Sequence, residues 1–315
     1  MARTPAADQE PPEPLHLVII GGGIAGCAAA ETAAHEDNVR VTLVNAGLPL
    51  GGTCINAGCL ASRRLMAAAK ILHTSTHHPI KGLDVTGKMS DFPRLMDQTR
   101  KFVAAVQREE YDAHFENLKN LEVIAGHGRF RDAHTVVVGD RVLEADSVIV
   151  ATGAYDIAPP VAGIEAIDYL TGESLLDIDT LPSSLLFVGA TEIGLACAQI
   201  YARFGTRVTL LEPRGDILDD DYGDDLRSRL LGYLREQGIT ILTGVELGEV
   251  RRNREGIELI GAVGGKKESW RAAHLVATLP RMPRTDNLSL EELDMRFHER
   301  GFIVVDETQQ TSVAG

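Results

Sequence analysis

One pattern occurs twice in this chain of 315 residues and limits how the chain can fold. The first copy covers residues 17–45, LVIIGGGIAGCAAAETAAHEDNVRVTLVN, and the second covers residues 185–212, LLFVGATEIGLACAQIYARFGTRVTLLE. Each copy has an apolar run of strand length, a glycine-rich turn, an alanine-rich helical stretch and a second strand containing VTL. This is the β-turn-α-β unit of a dinucleotide-binding fold. The repeat therefore predicts an α/β protein with two tandem Rossmann-like domains built on three-layer parallel sheets.

The first copy carries a complete G-x-G-x-x-G pattern at Gly21, Gly23 and Gly26. The first glycine makes the tight turn, the second lets the backbone approach a pyrophosphate, and the third lets helix and strand pack closely. The phosphates are expected at the N-terminus of the helix that follows, where amide donors and the helix dipole favour an anion. Asn45 ends the second strand, where its amide can hydrogen-bond a ribose without the negative charge of an acid.

The second copy departs from the pattern at one position. Gly189 and Gly194 are present, but Thr191 stands where the middle glycine is expected. We expect its Cβ and γ atoms to crowd the backbone where a pyrophosphate should approach. Glu212 ends the second strand of this copy, where a carboxylate can accept from a ribose 2′-OH, and this favours NAD over NADP.

Two cysteines lie between the repeats in the segment GGTCINAGCLASRRLMAAAKIL. Four residues separate Cys54 from Cys59, and a rise of about 7.5 Å over that spacing on an ideal helix exceeds the usual Cα separation in a disulfide. A bridge therefore requires a distorted turn, which Gly58 can provide. Residues 62–72 are predicted to be helical. The pair would then lie near a helix N-terminus, where the dipole and Arg63 should lower a thiol pKa.

Metal binding and inert burial are two other roles that cysteine pairs have in proteins. A single C-x4-C lacks a second pair at zinc spacing, and His73, His77 and His78 belong to a loose polar stretch, so we predict no metal site. Two buried and inert cysteines would be the ordinary explanation of such a pair. The flanking glycines argue against it, because glycines bring backbone close to another group.

Composition excludes several classes of protein. The chain has 31 Lys+Arg against 45 Asp+Glu, a net charge of −14, which argues against a nucleic-acid partner. Four cysteines are too few for a disulfide framework. The sequence has neither an apolar run long enough to cross a membrane nor a secretory signal, so we expect no membrane association and a cytoplasmic location. Residues 1–14, rich in Pro and Glu, are predicted to be a disordered tail.

The motifs together resemble one family. The pattern G-G-T-C-x-N-x-G-C at residues 51–59, downstream of a G-x-G-x-x-G unit, resembles the class I pyridine nucleotide-disulfide oxidoreductases of the dihydrolipoamide dehydrogenase and mercuric reductase type. The segment 126–128 is similar to the family segment that meets the FAD adenine. Ala-Thr-Gly at 151–153 is similar to its crossover beside the flavin, and residues 305–312 are similar to the stretch that returns to the FAD domain. The resemblance covers about residues 15–315.

The resemblance implies FAD and NAD(P)H as cofactors and a small dithiol or disulfide as substrate. It implies an FAD-binding domain with the redox helix at 15–155, an NAD(P)-binding-like domain at 156–283 and a return segment at 284–315. Cys59 would be the charge-transfer thiol that faces the flavin, and Cys54 the interchange thiol that meets the substrate. The implied cofactor-binding residues are Gly21, Gly23, Gly26, Asn45, Gly51, Gly52, Thr53, Arg63, Gly128, Ala151, Thr152, Gly153, Gly189, Glu192, Gly194 and Glu212.

Several positions depart from the family pattern. Arg63 replaces a lysine, Ala196 replaces the glutamate that pairs with that lysine, and Asn45 replaces the ribose-binding acid. The family turn G-R-x-P begins here with Pro280. Relatives are homodimers whose C-terminal domain supplies a base to the partner subunit, and we expect this chain to lack that domain. The expectation is an FAD-dependent oxidoreductase with impaired turnover, and the alternative is a non-catalytic flavin-binding or thiol-sensing relative.

Overall fold

The computed structural model describes residues 13–218, 222–254 and 256–315. The chain forms two compact units, each assembled from separate stretches of sequence. Unit 1 contains residues up to Gly51, residues 109–153 and residues 284–315, and unit 2 contains residues 52–108 and 154–283. Residues 1–12 of the predicted N-terminal tail lie outside the described part of the chain.

The regular elements are numbered here in chain order. The helices are α1 (Ile24–Ala34), α2 (Gly52–Asn56), α3 (Cys59–Thr76), α4 (Phe92–Gln107), α5 (Ala113–Phe115), α6 (Gly172–Leu175), α7 (Glu192–Arg203) and α8 (Asp224–Glu236). The strands are β1 (Leu15–Ile20), β2 (Val39–Asn45), β3 (Leu121–Ala125), β4 (Gly128–Asp132), β5 (Thr135–Val138), β6 (Arg141–Glu144), β7 (Ser147–Val150), β8 (Ala154–Tyr155), β9 (Leu170–Thr171), β10 (Ser184–Val188), β11 (Arg207–Glu212), β12 (Thr240–Thr243), β13 (Val245–Asn253), β14 (Gly256–Val263), β15 (Lys266–Ala272), β16 (His274–Ala277) and β17 (Met282–Pro283).

Unit 1 is a three-layer domain around a parallel sheet of order β3-β2-β1-β7. Successive side chains of β1 point to opposite faces of this sheet. Ile19 belongs to a core that it shares with Phe115 and with apolar residues of α1. Val18 and Ile20 belong to a second core that they share with the antiparallel sheet β4-β5-β6. The buried centre strand therefore lies between a helical layer and a second sheet.

Unit 2 repeats this arrangement on a parallel sheet of order β12-β11-β10-β16-β9. Leu185 and Phe187 of β10 pack in a core with the helices, whereas Leu186 and Val188 pack in a core with the antiparallel sheet β13-β14-β15. The two copies of the sequence pattern form β1-α1-β2 and β10-α7-β11. The predicted α/β fold with two Rossmann-like, three-layer domains is therefore confirmed.

One boundary differs from the sequence-based expectation. Residues 52–108 were expected to belong to the first domain, but they cluster with unit 2. The reason is the apolar face of α3, because Leu65 and Ala69 are fully buried in the same core as Tyr201 of α7. Residues 284–315 cluster with unit 1.

The described residues contain neither a helix that could span a membrane nor a cluster that could hold a metal ion. None of their helices is both long enough and apolar enough to span a membrane. In the same part of the chain, no group of three or more His, Cys, Asp or Glu side chains is arranged to hold a metal ion.

Candidate functional site

The first glycine-rich turn is closed by backbone contacts that leave no room for side chains. Gly21 has a φ of +116°, and a Cβ added to it would lie 2.2 Å from the carbonyl oxygen of Ala151. A Cβ at Gly26 would lie 1.8 Å from the carbonyl oxygen of Gly21. These glycines therefore allow β1, α1 and the end of β7 to approach each other closely.

Gly23 differs from these two glycines, because a Cβ built on it would meet nothing within 4 Å. It is the N-cap residue of α1, and no side chain caps the first turn of this helix. Neither a capping side chain from Gly23 nor an acidic side chain occupies the first turn, so side chains of this turn leave the helix terminus open. An open backbone at an uncapped helix N-terminus fits the pyrophosphate of FAD.

Asn45 lies at the end of β2 beside this turn. Its Oδ1 accepts from the backbone N–H of Gly22 at 3.2 Å, and its Nδ2 donates to the carbonyl of Leu48 at 3.0 Å. The side chain therefore orients the turn, and ribose binding by Asn45 stays a prediction.

Two other predicted segments meet the same edge of the unit 1 sheet. The N–H of Gly51 donates to the carbonyl of Gly22 at 2.9 Å, and the N–H of Gly126 donates to the carbonyl of Asn45 at 2.9 Å. Gly128 begins β4 and is buried, and a Cβ there would lie 3.1 Å from Ile20. Gly128 thus serves packing, while the backbone around Gly126 lies next to Asn45.

The segment after β7 also returns to the turn. The N–H of Ala151 donates to the carbonyl of Ile20 at 2.8 Å, and the Thr152 hydroxyl donates to the carbonyl of Arg284 at 2.7 Å. The N–H of Arg284 in turn donates to the carbonyl of Gly153 at 2.9 Å. The carboxyl ends of the unit 1 strands therefore collect Gly21, Gly23, Gly26, Asn45, Gly51, Ala151, Thr152 and Gly153 at one edge.

The two cysteines between the repeats lie on different helices of unit 2. Cys54 is in α2, and Cys59 is the first residue of α3. Gly58 separates the helices with φ −139° and ψ −102°, and a Cβ there would lie 3.0 Å from the carbonyl oxygen of Thr53. The distorted turn predicted at Gly58 is thus present. The structure has both cysteines as free thiols, and a hydrogen bond joins them.

The acidity of Cys54 corrects one prediction. The pair was expected to have a lowered thiol pKa, but burial and the hydrogen bond with Cys59 raise the pKa of the Cys54 thiol to about 11. The positive charge of exposed Arg63 acts in the opposite direction and is the weaker effect. The prediction was wrong for Cys54 because desolvation of the thiol, the largest cause of the shift, outweighs the charge of Arg63.

The remaining cysteines, Cys27 and Cys197, are buried in α1 and α7. Burial raises the pKa of the Cys197 thiol to about 12 and also raises that of Cys27. Both are therefore protonated packing residues.

The second glycine-rich turn has the same backbone geometry as the first. Gly189 has a φ of +105°, and a Cβ there would lie 2.4 Å from the carbonyl oxygen of Thr278. A Cβ at Gly194 would lie 2.7 Å from the carbonyl oxygen of Gly189. Thr191 is the N-cap residue of α7 but does not cap it, because its hydroxyl donates to the carbonyl of Thr278 at 2.7 Å.

Glu212 is used inside unit 2. Its carboxylate is almost fully buried and accepts from the backbone N–H of Ala190 at 2.6 Å and of Arg214 at 2.9 Å. The Arg214 side chain also donates to it, with 3.0 Å between Nε and Oε1. Binding of a ribose hydroxyl by Glu212 stays a prediction. Arg214 was missed, although its position two residues after the strand-end acid was a usable signal.

Glu192 lies in the first turn of α7 and is exposed. Its Oε1 accepts from the Tyr222 hydroxyl at 2.8 Å. Nothing in the sequence pattern indicated Tyr222, because thirty residues separate it from Glu192. Thr278 was missed for the same reason, since its contacts with the turn also join distant parts of the chain.

The chain is similar in sequence to several known reductases and dehydrogenases. The chain is similar to mercuric reductases of Lysinibacillus sphaericus (31% identity, 94% of this chain, 54% of the relative) and Streptomyces lividans (34% identity, 94% and 62%). It is also similar to dihydrolipoamide dehydrogenase of Chaetomium thermophilum (29% identity, 94% and 60%). The chain thus spans about half to three fifths of the length of these relatives.

A solved structure has a fold similar to that of this chain. The HOCl-induced flavoprotein disulfide reductase RclA from Escherichia coli superimposes with a TM-score of 0.79 at 25% sequence identity, over 95% of this chain and 64% of that chain. The model of the pyridine nucleotide-disulphide oxidoreductase family matches residues 15–315. The chain therefore belongs to the pyridine nucleotide-disulphide oxidoreductase family.

Proposed function

We propose that this chain is the nucleotide-binding and dithiol part of an FAD-dependent oxidoreductase that uses NAD(P)H to reduce a small disulfide. The observation that carries the proposal is the pair of hydrogen-bonded thiols at Cys54 and Cys59, which a turn at Gly58 brings together. Two adjacent thiols can donate two electrons by closing into a disulfide. The other two cysteines, Cys27 and Cys197, are buried in α1 and α7.

The proposed step is thiol–disulfide exchange, and its atoms balance. The Cys54 thiolate attacks one sulfur of the substrate disulfide, which forms a mixed disulfide and releases the first substrate thiolate. The Cys59 thiolate then attacks Cys54 Sγ, which closes the Cys54–Cys59 disulfide and releases the second. The substrate gains two electrons, the cysteine pair loses two, and the two protons that leave the cysteines balance the two substrate thiols.

Proton removal from Cys54 controls the first step. With a pKa of about 11, Cys54 is protonated near neutral pH, so the attack needs a base that takes its proton. Arg63 favours the thiolate, since it lowers the pKa of Cys54 through its charge. It does not offset the burial of the thiol.

The residues that would hold the cofactors follow from the two turns. Gly21, Gly23 and Gly26 would hold the FAD pyrophosphate, with Asn45 and the backbone near Gly126 toward its adenosine half. The second turn, at Gly189 and Gly194, would hold NAD(P)H. FAD and NAD(P)H held there would supply hydride-transfer chemistry, and with it the two electrons needed to reduce a Cys54–Cys59 disulfide.

Flavin loading and turnover test the proposal. The full chain is mixed with FAD, freed of excess ligand and examined for visible flavin absorbance. Reduction of lipoamide or an aromatic disulfide by NADH or NADPH is then followed. We expect flavin binding and slow turnover that Cys54→Ser and Cys59→Ser abolish and that Cys197→Ala, the matched buried cysteine, leaves unchanged. A chain that takes up no FAD, or turnover that survives both serine variants, would contradict the proposal.

A second candidate is a thiol-sensing relative without turnover. The raised pKa of Cys54 favours it, because a protonated thiol reacts slowly, and Ala196 cannot supply the charge of the family glutamate. Such a protein would show one stoichiometric oxidation of the pair by a disulfide and no continuing NAD(P)H consumption. Sustained consumption that depends on Cys54 would eliminate it.

The partner and the location are also proposals. A small disulfide substrate agrees with the relatives, and a homodimer would form through the part of such proteins that this chain does not span. We propose a cytoplasmic location, where the Cys54–Cys59 pair can be kept reduced.

A further inference from the structure

The two nucleotide-binding turns of this chain differ in charge. Each turn precedes a helix whose N-cap residue, Gly23 or Thr191, makes no side-chain cap bond. The first turn of α1 contains no acidic residue, whereas the first turn of α7 contains Glu192. The φ angles of Gly21 and Gly189 are +116° and +105°, so the two turns share this geometry. They differ in Glu192 and in Thr191, which stands where the first turn has Gly23.

The charge of Glu192 is not neutralised in the way that the charge of Glu212 is. Glu212 is paired with the guanidinium of Arg214, whereas Glu192 accepts from the neutral hydroxyl of Tyr222. The hydroxyl holds the exposed carboxylate without removing its charge. The positive end of the helix dipole is therefore partly satisfied by the protein's own anion.

A dinucleotide places its two negatively charged phosphates at this helix terminus. We propose that Glu192 opposes the pyrophosphate of the nicotinamide nucleotide and thereby limits its affinity for the second turn. The inference rests on the proposed function for the identity of the ligand, and it turns Glu192 from an expected binding residue into a residue that sets affinity. The turn at Gly21, which lacks this charge, is left free for tight FAD binding.

The test measures binding without turnover. ADP-ribose carries the pyrophosphate but has no nicotinamide to take part in turnover, and adenosine, the control ligand, carries no phosphate. The full chain loaded with FAD is titrated with each ligand by calorimetry. Glu192→Gln removes one negative charge next to the pyrophosphate and should tighten ADP-ribose binding about tenfold. This is the size of effect expected for two charges a few ångströms apart near a protein surface. Adenosine affinity should not change, and the gain should shrink at high salt.

The matched control is Asp225→Asn, because Asp225 is an exposed acid in the first turn of α8 in the same unit. It should leave ADP-ribose binding unchanged. Equal ADP-ribose affinity in the wild type and in Glu192→Gln would overturn the inference. Tighter ADP-ribose binding by Asp225→Asn would also overturn it, and so would a failure of both the wild type and Glu192→Gln to bind ADP-ribose. Detectable binding in the variant alone would support it. If the wild-type chain reduces no disulfide but Glu192→Gln still binds ADP-ribose more tightly than the wild type does, the proposed function is refuted. The role of Glu192 in limiting nucleotide affinity would remain.

Discussion

Glu212 at the end of β11 accepts a hydrogen bond from the backbone N–H of Ala190 in the glycine-rich turn, at 2.6 Å. The first repeat has the corresponding hydrogen bond, but its acceptor is a neutral amide, because Asn45 accepts from the N–H of Gly22 at 3.2 Å. In both units a strand-end side chain therefore holds the turn that precedes the helix. The residue expected to contact a ribose also shapes the backbone on which the phosphates would lie.

This relationship predicts a stability effect for Glu212→Ala. Ala190 is buried, so its N–H would lose a charged acceptor, and we expect a loss of about 2 kcal/mol in the free energy of unfolding. Asn45→Ala removes a longer, neutral bond and should cost about half as much. Urea unfolding of the two variants measures the difference. Equal losses, or a neutral Glu212→Ala, would contradict the assignment.

Two alanine substitutions in the first turn should separate folding from flavin binding. Gly26→Ala places a Cβ 1.8 Å from the carbonyl oxygen of Gly21, so it should destabilise unit 1 and lower the melting temperature of the chain without ligand. Gly23→Ala meets nothing within 4 Å and has an ordinary φ of −73°, so it should change stability by no more than about 1 kcal/mol. Its Cβ should nevertheless weaken FAD binding at least tenfold, which titration with FAD measures. An unchanged FAD affinity in Gly23→Ala would contradict the proposed pyrophosphate position.

The raised pKa of Cys54 predicts how the reduced chain reacts with iodoacetamide. The alkylation rate of Cys54 should rise about tenfold per pH unit from near neutrality up to about pH 11, because only the thiolate reacts. Arg63→Gln should move the profile to higher pH, since the arginine charge lowers the pKa. Cys59→Ser should leave most of the shift in place, because burial is its largest cause. Peptide mapping by mass spectrometry gives the rate for each cysteine, and a Cys54 rate that levels off near pH 8 would refute the shift.

Local sequence patterns predicted the parts of the site that depend on local backbone geometry. The glycine spacing at residues 21–26 and 189–194 indicated both turns, because positive φ and close backbone approach leave few alternatives to glycine. Contacts between distant residues could not be predicted in this way. The hydroxyl of Thr191 bonds to Thr278, and Glu192 to Tyr222, only after the chain has folded.

The domain boundary shows the same limit. The helix predicted at residues 62–72 is present, extends in both directions to Cys59–Thr76 and buries Leu65 and Ala69. An apolar face indicates that a helix is buried, but it does not identify the surface that covers it. That surface turned out to belong to unit 2, because Leu65 packs in the same core as Tyr201.

His16 predicts a dependence of stability on pH. It is a buried residue of β1, with one ring nitrogen 2.8 Å from the Thr42 hydroxyl and the other 2.5 Å from the carbonyl of Glu144. Burial lowers the pKa of His16 below the ordinary value of 6.5, although the bond to the Glu144 carbonyl acts against it. Among the nearby charges, Arg40 lowers the pKa further, and Asp146 and Glu122 raise it.

The sign follows from the lowered pKa. As pH falls through the unfolded value of about 6.5, the unfolded chain binds a proton more readily than the folded chain, so the folded state loses stability until the pH reaches the folded pKa. His16→Gln removes this titration and should flatten the change in urea midpoint between about pH 7.5 and about pH 5.5. His35→Gln, at an exposed histidine just after α1, is the control and should keep the slope of the wild type. An equal slope in His16→Gln and the wild type would show that another group causes the acid sensitivity.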